Sequence, residues 1–491
     1  MKVSFYTLGC RVNQYETEML KERFRAAGYE TVGEEEFADV YVINTCTVTS
    51  LADRKSRQFI RRMKRLNPAA FVCVTGCYAQ ISPDEVAAIE GVDLVVGTSD
   101  KGSIPELVAS RLSAECQSCG TGLGSGANHD TDAVIFVRSH ESGEEYIETG
   151  TVESMEGRTR AYIKVQEGCN RFCTYCEIPF ARGDVRSRQP MMILEEAKML
   201  LARGFKEIVL TGINTALYGT EKHFRPEFPS GGSYDKYIRL WAESCGGDGA
   251  CKYGTGLELL LSMLCDIDAD FRIRISSLEP TVVRSEDVLR LLKYDKLCHH
   301  LHLSLQSGSN NVLKAMNRHY TREEYIEIAK ALFEFDPCFG ISADIIAGFP
   351  GESESDFSES TDIEMQIPFC RVHAFDYSKR PGTRAAEMKG HLDPQVKKRR
   401  VKELIRCGEI SQRNFFEKCR GSERIVLVEE YIEELSIYAG YTDNYVRTYF
   451  TAKNPDNADK DEILGTFVNV RLEKEFRDGM LGNAFKHLFF V

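Results

Sequence analysis

The stretch EGCNRFCTYCEIPFARG, residues 167–183, places Cys169, Cys173 and Cys176 at C-x3-C-x2-C spacing. The apolar run Tyr162–Gln166 just before it reads as a buried strand, so the cysteines occupy the loop at that strand's C-terminal end. Three thiolates in eight residues can wrap one face of a cubane iron–sulfur cluster, because so short a loop lets the sulfurs converge. A [4Fe–4S] cluster ordinarily takes four cysteines. With three, one iron keeps a free position for a small molecule, as a catalytic zinc site does. A zinc knot is the competing reading. It would want a fourth Cys or His close by, and the next thiol, Cys245, lies in a glycine-rich stretch, 220–254, that looks inserted.

Downstream, apolar runs recur at Ile208–Leu210, Arg272–Ser276, His300–Leu305, Gly340–Ile346 and Arg371–Phe375. Helical patterns centred near Glu195, Leu260, Leu289, Tyr325 and Thr361 alternate with them. With Tyr162–Gln166 these make six βα units over 156–420, an α/β architecture that suits a partial (βα)6 barrel better than a closed eight-stranded one. LTGIN (210–214), SSLEP (276–280), SLQSG (304–308) and DIIAGFPGE (344–352) all end strands, where βα barrels put their active sites. The cysteine spacing, with Tyr175 before the last thiol, resembles the radical S-adenosylmethionine (SAM) superfamily. That resemblance implies SAM chelating the open iron, and one electron cleaving it to a 5′-deoxyadenosyl radical. It also makes Tyr175, Thr211, Gly212, Ser277, Gln306 and Asp344 the expected SAM-binding residues.

Residues 1–112 alternate strands (Lys2–Thr7, Val40–Asn44, Phe71–Thr75, Leu94–Val96) with helices (Asn13–Ala27, Ser50–Leu66, Pro83–Ile89, Ile104–Leu112). This predicts a flavodoxin-like doubly wound domain. Cys10, Cys46 and Cys77 each follow a strand. Strand ends of a parallel sheet share one edge, where such sheets bind ligands, so thiols 36 and 31 residues apart can meet as metal ligands. Cys73, inside a strand, reads instead as a small buried hydrophobe.

TLGCRVNQYE, NTCTVT, GCYAQ and CNRFCTYC together resemble the radical SAM methylthiotransferases over nearly the whole chain. The wording after Cys10, with HLHLSLQSGS, ADIIAGFPGE and FDYSKRPGTRAA, resembles the branch acting on N6-threonylcarbamoyladenosine at tRNA position 37. Several expectations follow from the resemblance. An auxiliary [4Fe–4S] cluster would sit on Cys10, Cys46 and Cys77, beside the SAM-binding cluster on Cys169, Cys173 and Cys176. The reaction would place a methylthio group on adenine C2. The partners would be tRNAs reading ANN codons, a sulfur donor, and flavodoxin or ferredoxin as a low-potential electron donor. The alternatives are the same chemistry on isopentenyladenosine in tRNA or on an aspartate of ribosomal protein S12, and, in a different class, a non-catalytic iron–sulfur scaffold or redox sensor. Arg384, after PGT, departs from the small residue or proline expected there.

The remainder reads more plainly. Residues 113–155 are a glycine-rich loop and linker, and Asp393–Cys419 is a long charged helix containing KKRRVKELIR. Residues 421–491 form short β runs, a small all-β barrel that the resemblance makes a TRAM-like, substrate-binding module. That segment carries 13 Asp and Glu against 8 Lys and Arg, and the whole chain of 491 residues has a net charge of −12. RNA contact is therefore expected from local cations: Arg182, Arg186, Arg188, Lys397 and Arg400. The loops holding Cys116, Cys119, Cys245 and Cys251 are expected at the surface, with zinc binding the other possibility. Seventeen cysteines without an export signal or a membrane-length apolar run predict a cytoplasmic protein in a reducing compartment. A monomer is expected.

Overall fold

In VYVINT (Val40–Thr45) and FVCVTG (Phe71–Gly76) every residue is buried, as a parallel sheet covered on both faces requires. The computed structural model describes residues 1–47, 50–119, 133–155, 157–244, 255–280, 285–451 and 463–487. Two units divide the chain. One comprises Met1–Glu153, Glu167–Phe172 and Cys176–Arg186, and the other Ser154–Gln166, Cys173–Tyr175 and Ser187–Val491.

The first unit is built on six parallel strands: β1 (Lys2–Thr7), β2 (Glu30–Val32), β3 (Val40–Thr45), β4 (Phe71–Gly76), β5 (Leu94–Val96) and β6 (Val134–Phe136). Their order, β2-β1-β3-β4-β5-β6, is the flavodoxin-like order extended by one strand. Helices α1 (Arg11–Ala26), α2 (Ser50–Leu66), α3 (Cys77–Ile81), α4 (Pro83–Ala87), α5 (Ile104–Cys119) and α6 (Ile178–Arg182) complete it. On α1, Val12, Tyr15, Met19, Leu20 and Phe24 are buried at helical spacing, each worth about 1.5–3 kcal/mol in area removed from water. Two differences from the sequence reading stand out. Part of the expected 113–155 linker is the strand β6, paired with β5. Cys116 and Cys119, expected in a loop, fall within the bounds of α5, whereas Cys245 and Cys251 lie outside the described residues.

The second unit carries the predicted βα succession. Its strands are β7 (Arg160–Glu167), β8 (Arg186–Ser187), β9 (Glu207–Gly212), β10 (Arg272–Ile275), β11 (Ser277–Leu278), β12 (His300–Leu303), β13 (Gly340–Ala347) and β14 (Arg371–Asp376). The third predicted strand is broken at Ser276: β10 pairs with β9, and β11 with β12. Hydrogen bonds from Ile273 N to Lys296 O (2.7 Å) and from Cys298 N to Ile273 O (2.8 Å) also tie β10 to the run entering β12. The result is a parallel run β7-β9-β10 continued by β11-β12-β13-β14, with β8 at the outer edge beside β7, and among the described residues β14 pairs only with β13. The surrounding helices are α7 (Pro190–Ala202), α8 (Asp235–Ser244), α9 (Thr255–Cys265), α10 (Ser285–Leu291), α11 (Asn310–Ala315), α12 (Arg322–Phe335), α13 (Glu354–Gln366), α14 (Arg384–Glu387) and α15 (Pro394–Cys419). Reciprocal capping boxes start α12 (Thr321 with Glu324) and α13 (Ser353 with Asp356). The expected insertion, 220–254, contributes α8.

The last strands, β15 (Glu423–Ile432), β16 (Ile437–Thr442), β17 (Arg447–Thr451), β18 (Phe467–Phe476) and β19 (Gly479–His487), close into a barrel in the order β15-β16-β17-β19-β18. This barrel is anchored on the N-terminal ends of the βα strands. Arg272 donates to the carbonyl oxygens of Ile425 and Tyr441, and Arg274 to those of Thr442 and Asp443. Tyr445 stacks on His300, the first residue of β12. Among the described residues no helix is long and apolar enough to cross a membrane.

Candidate cluster and cofactor sites

Cys10, Cys46 and Cys77 stand at the C-terminal ends of β1, β3 and β4, which are adjacent in the sheet. Two glycines make room for them. At Gly9 (φ +114°) an added Cβ would lie 2.9 Å from Cys46 Sγ, and at Gly76 (φ +101°) it would lie 2.3 Å from Thr45 O. Only glycine fits such positions without displacing its neighbours.

Against this edge lies Arg182, fully buried. Its Nε donates to Cys77 Sγ (3.3 Å), its Nη2 to Asn13 Oδ1 (2.6 Å), and its Nη1 to Glu16 and Glu167 (2.5 Å each). Lys101, also buried, pairs with Glu16 and reaches Asn44. Burial alone would lower the pKa of Arg182. The facing Cys77 thiol and the Glu16 and Glu167 carboxylates more than reverse this, so it stays well above its ordinary value. The guanidinium thus sets a fixed positive charge 3.3 Å from the Cys77 sulfur. Thr47 Oγ1 donates to Glu177 Oε2 (2.6 Å) and Thr98 Oγ1 to Ala181 O (2.8 Å), which dock the segment around α6 on the same edge.

The C-x3-C-x2-C residues divide between the units: Cys169 and Cys176 belong to the first and Cys173 to the second. Cys169 N donates to Gly183 O (3.0 Å). Cys173 repeats the pattern seen at Cys77. Arg318 Nη1 donates to its Sγ at 3.3 Å and lies 3.4 Å from Glu279 Oε1. Burial pushes the Arg318 pKa down, but Tyr320, Tyr175, Glu279 and Cys173 hold it well above the usual value. Glu279 Oε2 in turn accepts from Asn214 Nδ2 (2.8 Å), and Asn214 N donates to Gln166 Oε1 (3.0 Å). Neither this Arg318–Glu279–Asn214 chain nor Arg182 was anticipated as part of a thiol site. Glu279 and Asn214 fall in the quoted strand-end motifs, but Arg318 has no signal near the cysteines.

The expected SAM residues take the following places. Thr211 and Gly212 end β9, with Gly212 close against Gln166. Ser277 Oγ is 2.9 Å from Ser304 Oγ. Gln306 is left-handed (φ +63°), and its N–H donates to Asp344 O (2.7 Å). Burial would raise the Asp344 pKa, but the hydrogen bond from His302 and the charges of His302 and His373 lower it. Tyr175 packs on the apolar cluster of Val312, Met316, Phe349, Tyr377 and Ala385.

These residues fit the implied groups. Each cysteine set presents a thiol to a buried cation. Asn214 Oδ1 and Ser276 Oγ are buried at strand ends with no hydrogen-bond partner, so polar capacity is left for a polar ligand such as SAM.

The expected RNA-contacting arginines are committed elsewhere. Arg182 is engaged as described, Arg186 pairs with Glu144, Arg188 with Glu196, and Arg400 with Glu352 and Glu354. All four are buried. A buried, paired arginine has no free charge to offer a phosphate, so these four are structural. Lys397 is half-buried and donates to Tyr377 O (2.9 Å).

Residues 2–97 match the family model described as uncharacterized protein family UPF0004, and residues 163–362 match the radical SAM superfamily. Fold, motif and matches define the class: a radical SAM enzyme, which uses SAM and iron–sulfur clusters. The chain is 38% identical over 475 residues to the threonylcarbamoyladenosine tRNA methylthiotransferase MtaB of Bacillus subtilis (strain 168), covering 96% of this chain and 94% of that one. It is 40% identical to the protein of the same name from Aquifex aeolicus (strain VF5), covering 91% and 96%. It therefore belongs to the radical SAM methylthiotransferase family. Among solved structures, the radical SAM methyltransferase TsrM from Kitasatospora setae is similar at TM-score 0.51 and 14% identity, over 78% of this chain and 77% of that one, a likeness of fold alone.

Proposed function

We propose that this methylthiotransferase acts on tRNA, adding a methylthio group to C2 of N6-threonylcarbamoyladenosine at position 37. The observation that carries the reading is the pair of cysteine sets, Cys10/Cys46/Cys77 and Cys169/Cys173/Cys176, each with one thiol faced by a buried guanidinium. Two relatives of nearly the same length bear the name of this activity. In this reading each set holds a [4Fe–4S] cluster, and the second also binds SAM. When bound, these groups supply the radical chemistry that functionalises an unactivated C–H bond, and the sulfur that is transferred.

The chain's own residues hold and orient. Arg182 and Arg318 each set a positive charge beside one cysteine sulfur, Cys77 and Cys173 respectively. Asn214, Ser276, Ser277 and Gln306 present polar atoms and backbone at strand ends to the SAM. The C-terminal barrel sits on the opposite ends of β9, β10 and β12. A six-residue strand such as β9 is about 20 Å long. A substrate touching both barrel and strand ends must span that distance, which suits a tRNA and not a free nucleoside.

The test is nucleoside analysis of tRNA incubated anaerobically with reconstituted enzyme, SAM, sulfide and a low-potential reductant. Threonylcarbamoyladenosine-bearing and isopentenyladenosine-bearing tRNAs are compared. Methylthiolation of the first in clear excess supports the reading. Modification of only the second, or of neither, overturns it.

A further inference from the structure

With four of the expected arginines buried, the cations that remain exposed lie elsewhere. Helix α2 carries seven Lys and Arg in seventeen residues, with one acidic residue, Asp53, in a chain of net charge −12. Three of the seven have carboxylate partners: Arg57 with Glu85, Arg62 with Glu35 and Lys64 with Asp93. Arg54, Lys55, Arg61 and Arg65 are exposed and have no carboxylate partner among the described residues.

Their placement is ordered. At 3.6 residues per turn, Arg54, Gln58, Arg61 and Arg65 fall within an arc of about 60°, and the stripe runs about 16 Å along the helix. Lys55 and Arg62 flank it. Phe59, Ile60 and Met63 occupy the opposite face, buried in the core of the first unit. On α15, by contrast, the exposed Arg399 and Arg406 pair with Glu354 and Glu403. Helix α2 also begins four residues after Cys46, so its first turn is tied by a short connection to the sheet edge that carries the first thiol set.

We infer that Arg54, Lys55, Arg61 and Arg65 form a phosphate-tracking stripe by which the first unit grips the backbone of its RNA substrate. The inference rests on the tRNA reading above and adds the surface that reading lacked. Its chemistry is that of backbone recognition, in which unpaired cations at regular spacing replace counterions and carry no base specificity.

The test is tRNA binding by the cluster-loaded full chain as a function of salt. The quadruple variant Arg54→Gln, Lys55→Gln, Arg61→Gln, Arg65→Gln keeps good helix formers. The slope of log affinity against log salt should fall in magnitude by about three, and the Kd should rise at least tenfold near physiological salt. Iron content and tRNA-independent SAM cleavage should stay at wild-type levels. The control double variant Arg399→Gln, Arg406→Gln, whose arginines are paired with Glu354 and Glu403, should leave the slope nearly unchanged. An unchanged slope in the α2 variant overturns the inference. So does unchanged tRNA binding with slower reduction by an acidic flavodoxin-type donor, which would make the stripe a protein-docking surface. Failure of the wild type to bind or modify tRNA would instead defeat the underlying reading.

Discussion

Glu207 accepts hydrogen bonds from Arg274 Nε at 2.7 Å and Nη2 at 3.2 Å with both side chains fully buried, and Arg274 Nη1 and Nη2 also donate to carbonyls of the C-terminal barrel. One carboxylate on β9 thus fixes the guanidinium that anchors a separate module. Arg272 shares the same carboxylate. Glu207→Ala leaves two buried guanidinium groups uncompensated and should cost about 3–5 kcal/mol, read as a lower denaturation midpoint.

The same pair predicts a pH dependence. Burial would raise the Glu207 pKa, but Arg274 and Arg272 drive it far below the usual carboxylate range. A depressed pKa contributes stability above the unfolded value, about 4.3, and that stability is lost as pH falls toward the folded value. Acid unfolding below roughly pH 4 should therefore be shallower in Glu207→Gln than in wild type, compared at equal starting stability.

Glu364 on α13 has the opposite sign. Both its carboxylate oxygens are buried without a partner, and burial, with the charge of Glu403, pushes its pKa up to about 9. The folded state then resists ionisation, so this group's cost grows as pH rises from the unfolded value, about 4.3, toward 9. Glu364→Met should stabilise by about 1–3 kcal/mol at pH 8 and by much less at pH 5. Denaturation at the two pH values separates this from a uniform packing gain.

Arg182 is testable through iron. Arg182→Met removes the cation beside Cys77 and leaves Glu16 and Glu167 without it. Anaerobic iron content should fall from about eight per chain toward about four, while SAM cleavage persists. Arg182→Lys should recover part of the loss. Retention of about eight irons by the Met variant would mean that the arginine is not needed to keep a cluster.

Gly76→Ala should give the same iron loss without any change of charge. Its Cβ would lie 2.3 Å from Thr45 O at a φ of +101°, so the backbone leading into Cys77 must move. Gly421→Ala is a suitable control, since φ is also positive (+80°) there but the space around it is open.

The strands and the cysteines were legible because both are local signals. Lys2–Thr7, Ser50–Leu66 and Leu94–Val96 match β1, α2 and β5 residue for residue, since a buried apolar run or an amphipathic repeat is complete within its own segment. Strand β6 gave no such signal: it is three residues long, and Ile135 and Phe136 are 41% and 44% exposed at the sheet's edge. The arginines misled for a different reason. Arg182 meets Glu16 across 166 residues, and Arg400 meets Glu352 across 48. A cation whose counter-charge is so remote looks solvated in sequence and is recognised as buried only once the chain is folded. Arg318 beside Cys173, 145 residues away, was hidden in the same way.

The place of Arg182 also constrains how this protein can be taken apart or reassembled. The sheet that carries Cys10, Cys46 and Cys77 draws its arginine from a segment after the C-x3-C-x2-C loop, beyond residues that belong to the other unit. A fragment cut at residue 153 would keep Glu16 and Lys101 but lose the group they were arranged around. The N-terminal domain is therefore a poor candidate for transplantation as a free-standing module. A chimera that exchanged it for a relative's would need to carry residues 176–186 along with it.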